Sequence, residues 1–428
     1  MADSKDKKKN ASAPPQGGDH DHGGGHGHGG GVSDTIRLGK AGDGLFKIAA
    51  VVGVLGLGVS IPLGGGITGA QFQHSYLAAF MWGLSIAVGA VWWVILQHLV
   101  SARWSVTVRR VGEVLAQGVL LMGLLSLPVV VPALLGNDVL YKWVNHDFME
   151  SNHALHSKVP YLNTKFFAVR WIVYFAYWVL VARFFLKTSV KQDGSGDLKL
   201  TAKLKSVSPV SMIVFALVTT FFAIDLLMSL DPLWFSTIFG VYYFASCVLT
   251  FHATLALALF WLQGKGILKT SVTAEHYHDI GKLMFAFIAF WTYVAFSQFM
   301  LIWYANIPEE THWFHDRLQG AWKDASFFMM ATHFVIPFFG MMSRHVKRSR
   351  KALTFWSVWV LAVVWFDMHW LVLPNLHRDG LHLTAADFTT WIGVGGLVVA
   401  FAIWNAKKLD LLATKDPRLE RSLAFENI

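Results

Sequence analysis

Ten apolar runs, most of them about twenty residues long, limit the fold of this chain more than any other feature. They are residues 45–66, 76–99, 114–135, 166–186, 210–230, 235–262, 283–305, 327–342, 353–373 and 388–405. At about 1.5 Å per helical residue, such a run spans a hydrocarbon layer about 30 Å thick. Only the eighth is short. Composition points the same way: 54% of the 428 residues are hydrophobic and 15% are charged, too little polar surface to cover a water-soluble globule. The expected fold is an all-α polytopic membrane protein of ten transmembrane helices.

Lysine and arginine collect in cytoplasmic connections, so their distribution predicts orientation. Alternate connections and the two flanks of the helical region hold 24 of these residues on one side, against 6 on the other. Both termini are therefore expected in the cytoplasm. The net charge of +9 reflects this asymmetry and gives no support to a nucleic-acid partner. The chain divides into a disordered His/Gly-rich cytoplasmic tail (1–44), the ten-helix membrane domain (45–406) and a cytoplasmic C-terminal tail (407–428). The tail's "DHDHGGGHGHGGG" cannot bury an apolar core. His20, His22, His26 and His28 within it form a weak candidate metal site, and a solvated tail is the stronger reading. Residues 5–9 lead into polar sequence with no cleavable signal pattern. The connections 136–164 and 188–208 are the long ones, and the spacing suits two four-helix bundles plus two additional helices. Gly53, Gly56 and Gly58 in the first run permit close helix approach. The single cysteine, Cys247, can hold neither an iron–sulfur cluster nor a covalent haem.

Ionisable groups at membrane depth are costly and need a partner or a purpose. Asp225 falls roughly 8 Å below the outer end of the fifth run. Gln298, Asp367 and His369 fall at similar depth on other helices, with His333 a little deeper. These five are expected to form one outer layer, a shared hydrated or protonatable site, because acids and histidines in series suit proton transfer. His252, Gln117, Glu113, Gln97 and His98 lie toward the cytoplasmic half. The candidate proton path is thus Asp225, Gln298, His333, Asp367, His369 and His252, with no catalytic residue assigned. Asp367 and His369 are two residues apart, about 200° around a helix, and must face different neighbours. Pro337 disturbs a regular helix at the carbonyl of His333. Trp104, Trp143, Trp234, Trp303 and Trp313 suit an interfacial aromatic belt better than a quinone pocket. Asp231, followed by Pro232, is expected at the outer surface, capping the next helix or meeting a partner.

Two stretches carry a family resemblance: "FFAIDLLMSLDPLWFSTIFGVYYFA" (221–245) and "DIGKLMFAFIAFWTYVAFSQFMLIWYANIPEET" (279–311). They resemble the integral membrane subunits of bacterial alternative complex III, in the wider NrfD and polysulfide-reductase membrane-subunit family, over most of residues 45–405. The compact loops look like the smaller of that complex's two related membrane subunits. The resemblance implies two four-helix bundles in a bacterial inner-membrane complex that oxidises quinol and reduces a cytochrome c or similar carrier. It implies iron–sulfur clusters and c-type haems on partner subunits and no cofactor held by this chain, with menaquinone or ubiquinone a possible ligand. The implied partners are a second NrfD-like membrane subunit, an iron–sulfur subunit and cytochrome c subunits, besides lipid. Asp225, Asp231, Gln298 and the turn at Pro308–Glu310 fall within the quoted motifs. Two other classes compete: a b-type haem electron carrier, for which His333 and His369 are the candidate ligand pair, and a stand-alone proton-coupled transporter.

Overall fold

The computed structural model describes residues 34–427. Among them, ten helices are long and apolar enough to cross a membrane, one for each apolar run. They are α1 (Gly39–Leu63), α2 (Ala70–Leu99), α3 (Val106–Leu134), α4 (Thr164–Ser195), α5 (Leu198–Leu230), α6 (Phe239–Gly264), α7 (Ala274–Ala305), α8 (Gly320–Met341), α9 (Arg350–Asn375) and α10 (Ala385–Ala406). No strand forms among the described residues beyond two isolated bridges. An even number of crossings brings the described ends to one face, where Arg37 and Asp410 pair through both backbone and side chain. This is the terminal face; the opposite one is the distal face.

α2 is the hub. It is buried along nearly its whole length and packs on α3, α4 and α5 as well as on α6, α9 and α10. Helices α2–α5 form one group of four and α6–α9 another, with α6 resting on both α2 and α5. α1 and α10 pair outside them, against α2.

The last helices of the two groups end alike. Asp225 stands seven residues before Pro232, and Asp367 seven before Pro374. Each helix tightens into a 3-10 turn at that end, Met228–Leu230 and Leu373–Asn375.

Both long connections differ from open loops. Residues 188–208, expected as a loop, are helical on either side of one turn: α4 runs to Ser195, Gly196 takes the left-handed conformation (φ 67°), and Asp197 caps α5 by accepting from the Lys199 N–H at 2.8 Å. Lys, Leu and Gln in this stretch favour helix, and hydropathy detects only the part of a helix that lies in lipid. Residues 136–164 are built into the distal face. There the Trp143 indole donates to Ser229 Oγ at 3.1 Å, Tyr141 OH to the Leu226 carbonyl at 3.1 Å, and Lys158 Nζ to the Pro232 carbonyl at 2.6 Å.

Residues 34–44 and 407–427, read from sequence as parts of the two tails, lie against helix ends. The Asp34 carboxylate accepts from the N–H groups of Thr270 and Ser271 at 2.9 and 2.7 Å. At the other end Asn427 reaches Glu275, donating to its carboxylate at 3.3 Å and its carbonyl at 3.2 Å. His20, His22, His26 and His28 lie outside the described residues.

The belt reading also needs correction. Trp143, Trp234 and Trp313 are buried, the last two stacked with ring centroids 4.3 Å apart, because residues 136–164 and the short helix Pro308–Arg317 cover the distal helix ends. Trp303, 65% exposed, keeps a belt position.

Close approach of α1 and α10 depends on glycine. A Cβ at Gly56 would lie 2.9 Å from the Gly393 Cα, and one at Gly396 2.7 Å from the Gly53 nitrogen, whereas Gly58 has open space. Gly56→Val is expected to lower stability by about 1–3 kcal/mol through overpacking. Gly58→Val is expected to leave it unchanged, and thermal unfolding of the two purified variants checks the difference.

Candidate functional site

The buried polar residues on the distal side separate into three clusters, and the single layer expected from depth does not form. The first lies between α4 and α5. Asp225, fully buried, accepts from Arg170 Nε at 2.7 Å and Nη2 at 3.1 Å, and from Tyr174 OH at 2.8 Å. The guanidinium also donates to the Tyr161 carbonyl at 2.8 Å and lies 3.9 Å from the centre of the Tyr161 ring. This fork-on-carboxylate geometry is the strongest that Arg and Asp make. It leaves Asp225 as a fixed half of an ion pair.

The second cluster belongs to α6–α9. Asp367, also fully buried, accepts from Tyr242 OH at 2.5 Å and from Ser246 Oγ at 3.3 Å. Among the described residues it has no ion-pair partner; the two hydroxyls and the Trp291 indole, all neutral, face it. Tyr242 begins a stripe along α6, since Ser246, Thr250 and Thr254 follow at four-residue intervals and share one slowly turning face. Thr250 continues the stripe to Ser85 on α2, with the two hydroxyls 2.8 Å apart.

His333 adjoins this cluster. The helix opens into a π turn at Ala331–Val335, one turn before Pro337, whose ring disturbs the ladder there as expected. The Trp359 indole takes up the Thr332 carbonyl at 2.9 Å. The imidazole stacks on Trp291, ring centroids 3.5 Å apart, and Trp291 in turn leans on Tyr242 at 5.2 Å. Nε2 of His333 has no partner among the described residues, and its residue lines a cavity of about 10 Å³ with Thr332, Pro337 and Trp359. That is about the space of one water.

The third cluster joins α9 to α10 and α2. His369 donates from Nδ1 to the Trp365 carbonyl (2.9 Å) and turns Nε2 to Asp387, 3.3 Å away. Asp387 accepts from Ser75 Oγ at 2.7 Å and from the Thr384 N–H at 2.7 Å, closing the capping box of α10. Asp367 and His369 thus face different helices, as their 200° separation requires. His333 and His369, the pair a bis-His haem would need, have different neighbours.

The remaining candidates stand apart. Gln298 accepts from Ser236 Oγ at 3.0 Å near the distal end of α7. His252 bonds its own helix at the Val248 carbonyl (2.7 Å) and packs between Phe251 and Trp93. Asp231 caps the turn into α6 by accepting from the Leu233 N–H at 3.1 Å and pairs with His312 at 2.8 Å.

Sequence reasoning passed over Arg170, Asp387, the α6 hydroxyls and a network on the terminal side. There Glu113 lies 2.9 Å from Arg110, 3.4 Å from Arg109 and 3.8 Å from His98. Arg109 reaches on to Asp416 at 2.5 Å and Arg110 to Asp193 at 2.7 Å. Burial pushes the Asp416 carboxyl up, but the charges of Arg109 and Arg418 and the hydrogen bonds from both hold it well below the usual carboxylate range. The last stretch of chain is thereby fastened to α3. Arg170 was findable: it is a lone cation in "FFAVRWIVYFAYW", a few residues from the same membrane boundary as Asp225.

No protein-family model matches the chain, and no curated protein matches it. The fold and its buried polar clusters define an all-α multi-pass integral membrane protein with ten candidate spans.

Two outcomes follow from these pairs. Asp225→Asn leaves a buried guanidinium without its counter-charge and is expected to cost about 3–5 kcal/mol, with much of the loss recovered in the double variant Arg170→Leu/Asp225→Leu; thermal unfolding in detergent measures both. On the distal surface, the Asp231 hydrogen bond raises His312 above its ordinary 6.5, and His312 in turn holds Asp231 below 3.8 against the opposing effect of burial. The histidine's contribution is complete below 6.5 and is lost as pH rises through its raised value, while the aspartate's is lost as pH falls below 3.8. The pair is half-exposed and worth under about 1 kcal/mol. Stability should therefore show a small decline above neutral pH that His312→Gln abolishes.

Proposed function

We propose that this chain is a membrane subunit of a quinol-oxidising electron-transfer complex of the alternative complex III type, which passes electrons to a cytochrome c or equivalent carrier. Its own share is a scaffold for partner subunits and a proton-transfer route through the α6–α9 bundle. In this reading the terminal face is cytoplasmic and the membrane is a bacterial inner membrane. Iron–sulfur clusters and c-type haems belong to partner subunits, beside a second, related membrane subunit.

The observation that carries the proton route is Asp367. A carboxyl faced by hydroxyls, each able to donate or accept, can gain or lose a proton without stranding a charged partner. Asp225 is less suited, because protonating it would strand Arg170. From Asp367 the hydroxyls of Tyr242, Ser246, Thr250 and Ser85 supply successive donor–acceptor positions, and His333 adds an imidazole nitrogen beside water-sized space. The family part of the proposal rests on the motifs at 221–245 and 279–311.

In the assembled complex, Asp367→Asn is expected to lower proton release coupled to quinol turnover by roughly 10²-fold, the scale of a lost proton-transfer group, while the complex still assembles. Unchanged turnover and proton yield in that variant would remove the proton route. Purification of the chain free of iron–sulfur and cytochrome subunits would remove the complex.

A further inference from the structure

A large cavity lies away from these acids, in the terminal half of the membrane layer. It encloses about 400 Å³ between α2, α3, α6, α9 and α10, walled by side chains such as Ile86, Leu115, Trp261, Leu361, Val398 and Ala402. Buried Leu38 and Leu411 close it toward the terminal face. On its other side Val399, 41% exposed, and the half-buried Trp261 and Leu361 border the lipid-facing surface, so the way in is sideways from the bilayer. A narrow extension continues it past Ile86 and Leu115 to Gly83, Gly118 and Met122. Along α3, from Val111 to Met122, the whole slot runs about 16 Å at 1.5 Å per residue.

From this geometry we propose that the slot is a binding site for one acyl chain of an anionic membrane phospholipid, inserted laterally between α6, α9 and α10. About 150 Å³ of apolar space takes up a six-carbon ring, and here more than twice that is lined by residues spread over three turns of α10, Gly395 to Ala406, room for a linear chain. The wall chemistry selects hydrocarbon. Its polar side-chain atoms are few: the Trp82 indole, already donating to the Leu361 carbonyl at 2.9 Å, the indole of half-buried Trp261 at the lipid-facing border, and Thr254 Oγ1, buried and without a partner among the described residues. A quinone ring has two carbonyl oxygens to satisfy, and a single hydroxyl in the buried part does not serve both. An acyl chain needs neither. The headgroup is chosen by charge: each of the three helices bordering the entrance carries cations at its terminal-face end, Lys265 after α6, Arg350 at the start of α9 and Lys408 after α10. A phosphate at the membrane surface beside them, with its chain in the slot, satisfies both ends.

The test uses the full chain in phosphatidylcholine vesicles containing phosphatidylglycerol with a photoreactive diazirine in mid-chain. Adducts are expected on slot residues, Leu115, Trp261 and Ala402 among them, and native mass spectrometry of the washed protein should retain one phospholipid per chain. Ala402→Trp, which fills the slot, should lower both signals severalfold, and outward-facing Val54→Trp should not. Adducts confined to outward positions such as Ile48 and Leu55 would overturn the proposal even if the filled variant failed to fold. So would an isoprenoid quinone co-purifying in place of phospholipid.

Discussion

A carboxylate at membrane depth must be paired with a cation or surrounded by groups that tolerate its neutral form, because hydrocarbon offers neither water nor counter-ions. The interior of this protein is organised around two acids that meet this constraint in opposite ways. Arg170 forks onto Asp225 and is itself held by the Tyr161 carbonyl and ring, which fastens the distal connection 136–164 to the α4–α5 pair. Asp367 instead draws Tyr242 and Ser246 of α6 to α9, so the second bundle closes on hydroxyls. On the terminal side the first pattern recurs: Arg109, Arg110 and Glu113 form a network that also anchors the C-terminal stretch through Asp416.

Backbone groups obey the same rule. Pro337 takes one donor out of α8, the helix widens into a π turn, and the carbonyl of Thr332 accepts from a tryptophan of α9. The departure from regular helix is thus satisfied within the protein, and it places His333 against Trp291 beside a water-sized space. At α1 and α10 the requirement is steric: glycine backbones meet directly, so α1, which makes little contact with the bundles, still packs closely on α10.

Much of this fold was legible in the sequence, because ten apolar runs of membrane length leave few alternatives and each became a helix. Position along each helix was readable as well, since residue count from a helix end converts directly to distance. Direction around the helix was not. Asp225, Asp367 and His369 were placed near one depth, yet α4, α6 and α10 receive them separately. Hydroxyls were missed because Ser, Thr and Tyr leave an apolar run looking apolar, although Tyr242, Ser246, Thr250 and Thr254 recur every four residues. Arg170 was missed because a single cation near a helix end resembles an interfacial anchor. The helical parts of 188–208 escaped because the pattern sought was lipid exposure, and a helix standing beyond the lipid has none.

The equivalent ends of α5 and α9, with an acid seven residues before a proline in each, make the difference between the two bundles informative. In each group of four the third helix contributes a buried basic residue to the acid's bundle. In the first it is Arg170 of α4, a permanent cation bonded to Asp225; in the second it is His333 of α8, an imidazole held off by Trp291 and set deeper in its helix. A permanent cation commits its acid to one charge state. An imidazole at a distance does not, and the hydroxyls between leave both states open. The same scaffold therefore holds one acid as a clamp and leaves the other without a charged partner, so the two bundles differ through the partner each acid is given rather than through its position in the fold.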